Sequence, residues 1–220
     1  MTRLCRWILA STLLLGAASR LPAASSEEQR DFAAATNSFN DGFYARAEAG
    51  FASFVQTYTN STRLPEAILF QAQARLQQTN YVGAIELLSS HLSAAGPNAD
   101  QYAFWLAEAY ARKGDNRAAA DAFAKLTKDF PASPLRLEAA INQAGALAAL
   151  AEWPRVIELL RDTNGVFQTA ARTNAASKRV PRGYLLLGEA LLAQKDYRAA
   201  EATLLPLGKQ IGRASCREKV

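Results

Sequence analysis

A tyrosine, an alanine and a large apolar residue recur along this chain in fixed order, three and then four positions apart. The triplets are Tyr44-Ala47-Phe51, Tyr81-Ala84-Leu88, Asn116-Ala119-Phe123, Trp153-Val156-Leu160 and Tyr197-Ala200-Leu204. Their first members are spaced by 37, 35, 37 and 44 residues. Repetition at this length marks a stacked array in which each unit buries its apolar face only against its neighbours. Arrays of helix pairs usually hold partners and seldom do chemistry, so the repeat alone leans towards binding.

The units read as helical. The 220 residues include 12 Gly and 8 Pro, half are apolar, and Ala, Leu, Gln, Glu and Arg favour helix. No window alternates polar and apolar residues over a useful length, so the expected class is all-α. In the third unit Asp100 is expected to cap a helix running to Arg112. Lys113-Gly114-Asp115 then turns, and a second helix spans Asn116 to Asp129. Ser133 is expected to cap the next helix with Pro134 at its first position. Pro65 and Pro181 start the second and fifth units. Ser25 with Glu28 reads as a capping box at the first helix. The repeated alanines sit where paired helices come close, and Tyr44, Tyr81, Trp153 and Tyr197 plug the start of each second helix. The long fourth spacing places an insertion in 162–180, expected as a lengthened helix or a projecting loop.

The two ends stand apart. Residues 1–25 read as a secretory signal: Arg3 and Arg6, an apolar run from Trp7 to Ala18, then small residues around Leu21 to Ser25. The run is shorter than the roughly 20 residues a membrane span needs. Residues 211–220 lack the repeat periodicity and read as a non-repeat tail, expected to mark a truncation. Leu204, Leu205 and Leu207 are then expected to lie uncovered, which offers a self-association surface.

Charge and composition exclude several classes. The formal charge is +5, but it resides in the two ends and leaves 26–210 neutral, so no nucleic-acid site is expected. One histidine, His91, and the cysteines Cys5 and Cys216 give no metal-ligand set. No glycine-rich phosphate loop and no nucleophile–base motif occurs. No cofactor is expected, and no enzyme activity. Lys178, Arg179 and Arg182 form a short basic cluster in the insertion, read as solvated. Asn60-Ser61-Thr62 reads as an inter-unit loop.

Several residues carry a family resemblance. The third unit's Tyr102 to Tyr110 stretch, followed by Gly114, Ala119, Phe123 and Pro131, resembles the tetratricopeptide repeat (TPR). So does the fifth unit's Tyr184, Leu187, Gly188, Leu191, Ala200 and Leu204. Spacings of 35–37 look like those of exported envelope proteins, including the outer-membrane assembly lipoprotein and Tol-Pal coordinator groups. The resemblance implies a right-handed superhelical solenoid of about five antiparallel helix pairs over 26–210. It also implies a concave groove walled by the first helices. There it places Gln73, Leu76, Gln77, Gln101, Phe104, Trp105, Glu108, Arg112, Asn142 and Glu189, with Trp105 as either anchor or inter-unit packing residue. The implied function is a non-catalytic scaffold for a protein or peptide partner, periplasmic or associated with the cell envelope. The alternative is an N-terminal recruitment piece of a larger protein, possibly an enzyme.

Overall fold

In the computed structural model of the chain, the described residues are 26–174 and 177–217, with side chains as far as 207. The expected signal and Ser25 lie outside them. The described residues form eleven α-helices in chain order: α1 (Ser26–Asn40), α2 (Tyr44–Thr57), α3 (Leu64–Gln77), α4 (Tyr81–His91), α5 (Ala99–Lys113), α6 (Asn116–Asp129), α7 (Arg136–Ala149), α8 (Trp153–Arg161), α9 (Val166–Thr173), α10 (Val180–Ala193) and α11 (Tyr197–Arg217). Two short 3-10 turns, Leu92–Ala94 and Gly96–Asn98, join α4 to α5. Consecutive helices pack as antiparallel pairs: α1/α2, α3/α4, α5/α6, α7/α8 and α10/α11. Each first helix also packs on the pair before it.

One corner is built five times. Gly42, Thr79, Gly114, Ala151 and Lys195 all adopt positive φ, at 81°, 61°, 88°, 57° and 60°. At every corner the next residue's N–H reaches back five positions: Phe43 to Ser38, Asn80 to Arg75, Asp115 to Tyr110, Glu152 to Leu147 and Asp196 to Leu191. This is the Schellman closure, which satisfies carbonyls that the helix end leaves free. The residue after the corner stands at the N-cap, immediately before the second helix. Asn80, Asp115 and Asp196 accept from the N–H groups of Gly83, Ala118 and Ala199 at 3.0, 3.2 and 3.1 Å. Phe43 stands at the same point with no side-chain cap.

The repeated alanines do what their spacing predicts. Ala47, Ala84, Ala119 and Val156 are wholly buried, and Ala200 is nearly so. Phe51, Leu88, Phe123 and Leu160, one turn on, are also wholly buried. Leu204 is half-buried and lies over Gly188, where an added Cβ would come within 2.4 Å of it. The aromatic plugs divide. Tyr44, Tyr81 and Trp153 are half-buried, but Tyr197 is 64% exposed. The first three are each followed by another helix pair, whereas no described helix pair follows α11.

Three local expectations are corrected. Asp100 does not cap α5, which begins at Ala99 after an uncapped Asn98. Its carboxylate instead accepts from Ser133 Oγ at 2.6 Å. Ser133 does not cap α7, and Pro134 lies in a turn before the helix. The Ser133 hydroxyl accepts from the Leu135 N–H two residues on. Glu28 likewise takes Ser61 Oγ, so the loop after the second helix is clasped to the start of the first in units one and three. At the other end, Leu207 is buried and only Leu205 of the three leucines is exposed. Ile211 to Arg217, read as the start of a tail, continue α11.

The insertion becomes neither a long helix nor a bare loop. Helix α8 stops at Arg161, and α9 follows as a separate element. Phe167 of α9 is 1% exposed and meets Tyr184 edge-on at 5.0 Å between ring centroids. Gly183 makes room for that ring: a Cβ there would lie 2.1 Å from Phe167 Cε2.

Candidate partner-binding groove

Helical spacing puts the groove's side chains on two facing surfaces. On α5, Trp105, Glu108 and Arg112 lie at i, i+3 and i+7, and Phe104 adjoins them. On α7, Glu138, Asn142 and Gly145 lie at i, i+4 and i+7. Between them is a cavity of about 490 Å³ that these residues line, together with Asn116 at the start of α6 and Arg182 of α10. Its volume lies in the range of natural ligand pockets.

Phe104 forms the apolar floor. It is 6% exposed and packs edge-on against Trp105 and Phe123, at 5.7 and 5.8 Å. Trp105 is half-buried and borders three core clusters as well as the cavity. It is therefore an inter-unit packing residue that also lines the cavity.

Polar groups cluster beside this floor. Asn142 Nδ2 donates to Glu108 Oε1 at 2.6 Å, and Arg112 Nε stands 3.8 Å from Glu108 Oε2. Burial pushes the Glu108 carboxyl above its ordinary range, and nearby Glu138 adds to this. Arg112, Arg182 and Asn142 oppose it. Glu138 is itself paired with Arg179 at 2.8 Å. Two acids and two arginines thus line the cavity and cancel in charge. The Oδ1 of Asn142 is buried with no hydrogen-bond partner. It is a buried acceptor left without a partner.

The structure sorts the expected groove residues. Phe104, Trp105, Glu108, Arg112 and Asn142 come together around the cavity. Gln73 is half-buried, and Gln77, Gln101 and Glu189 are exposed; none of the four lines it. Leu76 is 2% exposed and belongs to the core with Ala84 and Ala109, a correction to its place on the wall. Sequence reasoning passed over Glu138 and Gly145, although both share the Asn142 stripe of α7. It assigned Arg182 to a solvated loop cluster, whereas α10 carries that guanidinium into the groove. His91 is half-exposed at the end of α4, its Nδ1 near Leu87 O and Ser90 Oγ. Among the described residues no group of His, Cys, Asp or Glu is placed to hold a metal ion.

No protein-family model and no curated protein sequence matches the chain. Solved structures do. A kinesin light chain protein of Podosopora anserina with nearly identical TPR-like repeats superposes with a TM-score of 0.68 at 18% identity, covering 87% of this chain and 97% of that one. The fold is TPR-like. Two further structures that match are MamA MSR-1 C2 and BtubC (BKLC) from P. vanneervenii. MamA gives a TM-score of 0.63 at 13% identity over 86% of this chain and 99% of that one. BtubC gives 0.56 at 19% identity over 81% and 71%. In this TPR-like array the cavity spans the first helices of units three and four.

Proposed function

We propose that this chain is a non-catalytic scaffold that holds an extended segment of another protein between α5 and α7, and that it works in the cell envelope after export. The observation that carries the groove reading is the buried, unpartnered Oδ1 of Asn142. A buried acceptor left unsatisfied costs about 1–3 kcal/mol, which a ligand N–H would recover. Backbone N–H groups are donors that an extended segment offers at nearly every residue. The cancelling charges of Glu108, Glu138, Arg112 and Arg182 favour a segment of mixed or no charge. Phe104 and Trp105 provide apolar area for one anchoring side chain. Export is supported by the order of Arg3 and Arg6, the apolar run to Ala18 and the small residues before Ser26. Among the described residues no helix is long and apolar enough to cross a membrane.

The groove is tested with peptides selected from a display library against the full chain. Asn142→Leu, close in size but without the acceptor, is expected to weaken a selected peptide about tenfold with unchanged helical circular dichroism. Equal affinity in wild type and variant defeats the reading. Export is tested by N-terminal sequencing of the protein recovered from a host envelope. A mature start near residue 26 is expected; an intact Met1 in the cytoplasmic fraction counts against it.

A further inference from the structure

A second cavity lies away from the groove, between the α8–α9 end of unit four and the α10–α11 pair of unit five. Its volume is about 570 Å³, a size that suits a small ligand. The repeat register shows why it is there. Eight positions after the repeated alanine of α2 stands Val55, which packs on the cluster that contains Ile68 of α3, as does Leu87 of α4. The same step from Val156 falls on Asn164, which is exposed and lies beyond α8. Helix α8 has 9 residues where α2 and α6 have 14. Tyr184 and Thr203, the equivalents of Ile68 and Leu87, therefore line a cavity in place of meeting such a side chain. Helix α9 borders the slot with Gln168 and Ala171 but does not fill it. In the array a following pair packs on the opposite side of the pair before it, as α3 meets α2 through Arg75 and Glu48 at 2.7 Å. The cavity thus belongs to the junction of units four and five.

Its chemistry is set by contrast with the other units. Asp121 and Lys125 of α6, and Glu158 and Asp162 at the end of α8, are exposed charges. Their equivalents in α11 are Ala202 and Pro206, which line the cavity. Val180, Pro181 and Leu187 extend this apolar wall. Three polar side chains on the lining are already engaged. Gln168 Nε2 donates to Leu160 O at 2.6 Å, Tyr184 Oη donates to Gln168 Oε1 at 3.5 Å, and Thr203 Oγ1 donates to Ala199 O at 2.8 Å. Arg161 differs. It is exposed at the edge of the cavity and carries the one charge among the lining residues. Among the described residues no ion pair or hydrogen bond occupies its guanidinium.

We infer that this cavity binds an aliphatic monocarboxylate. The ligand's chain lies along Val180, Pro181, Leu187 and Ala202, and its carboxylate takes the unspent fork of Arg161. One cation calls for one anion, and the apolar wall calls for a body without further polar groups. The site is separate from the α5–α7 groove and does not depend on a partner there.

Octanoate titrated into the isotope-labelled full chain is the test, read by amide NMR shifts. Saturable shifts centred on 161–207 are expected. Octanol, the same chain without the charge, should bind about fivefold more weakly, the scale of an exposed ion pair. Arg161→Gln should erase that difference while octanol binding stays unchanged. Ala202→Phe, at an exposed position, should abolish binding of both ligands with unchanged melting of the chain. Absence of saturable shifts overturns the proposal, and so does octanol binding as tightly as octanoate to the unaltered chain. Octanoate binding that survives Ala202→Phe, or that is lost in Asn142→Leu, places the ligand elsewhere and also overturns it.

Discussion

Five equivalent left-handed corners are closed by four kinds of residue. Gly42 and Gly114 suit positive φ, whereas Thr79, Ala151 and Lys195 pay for it in steric crowding. Thr79, branched at Cβ, is the least comfortable. Thr79→Gly is expected to stabilise the chain by about 0.5–1 kcal/mol, read from the urea midpoint. The neighbouring cap gives a second case. Phe43 shares the backbone of Asn80 and Asp115, with φ and ψ of −81° and 63° against −82° and 68°, and −82° and 70°. Phe43→Asp supplies the missing acceptor for the N–H of Arg46 and is expected to add about 1 kcal/mol. A lowered midpoint would mean that the exposed ring contributes more than a cap. Glu108 supplies a pH dependence. Its folded carboxyl binds protons more tightly than the ordinary 4.5. The folded state therefore holds more protons than the unfolded one just above that pH, and stability falls as pH rises through that window. Glu108→Gln is expected to flatten this decline and to raise the melting temperature at neutral pH. Glu152 behaves oppositely. Hydrogen bonds from Arg117 and Arg155 hold its pKa down, so its contribution is present above 4.5 and fades on acidification.

At the scale of the helix, legibility followed repetition. The register of the alanines gave every second helix its first residue, and α6 has the bounds its caps and turn predicted. The first-helix starts were read less well. Asp100 and the Ser133-Pro134 pair carry the local chemistry of caps, but a partner 33 residues away takes them. A long-range bond of this kind leaves no local trace. Helix α9 also escaped, because eight residues, Val166–Thr173, give little more than two turns of periodicity. Its anchor was nevertheless written in the sequence as Gly183, glycine in a helix that has no turn to make. Gly183→Ala should expel Phe167 and loosen α9. The expected signs are cleavage within 162–180 by limited proteolysis and a stability loss of about 3–5 kcal/mol, comparable to deleting a buried Phe. A protected α9 in that variant would show that α10 shifts instead. Around the cavity, Glu108, Arg112 and Asn142 are residues that the family resemblance had placed on the wall. Arg182 required knowing that α10 starts at Val180 and not beyond a free loop.

Taken whole, the array is electrically quiet. Residues 26–210 carry no net formal charge, and the groove balances its acids against its arginines. Partner affinity is therefore expected to change by less than about threefold between 50 and 500 mM salt, as titration calorimetry would show. A steep salt slope would point to a charged partner and to a different surface. The serine–carboxylate clasps carry a longer message. Glu28–Ser61 and Asp100–Ser133 are related by a shift of 72 positions, the length of two units, and Gly42 with Gly114 and Phe51 with Phe123 obey the same shift. A four-helix segment copied in tandem leaves this kind of imprint. Excision of residues 64–135 would then join Arg63 to Arg136 across matching backbone, so the natural quantum for shortening or lengthening this protein is four helices and not two.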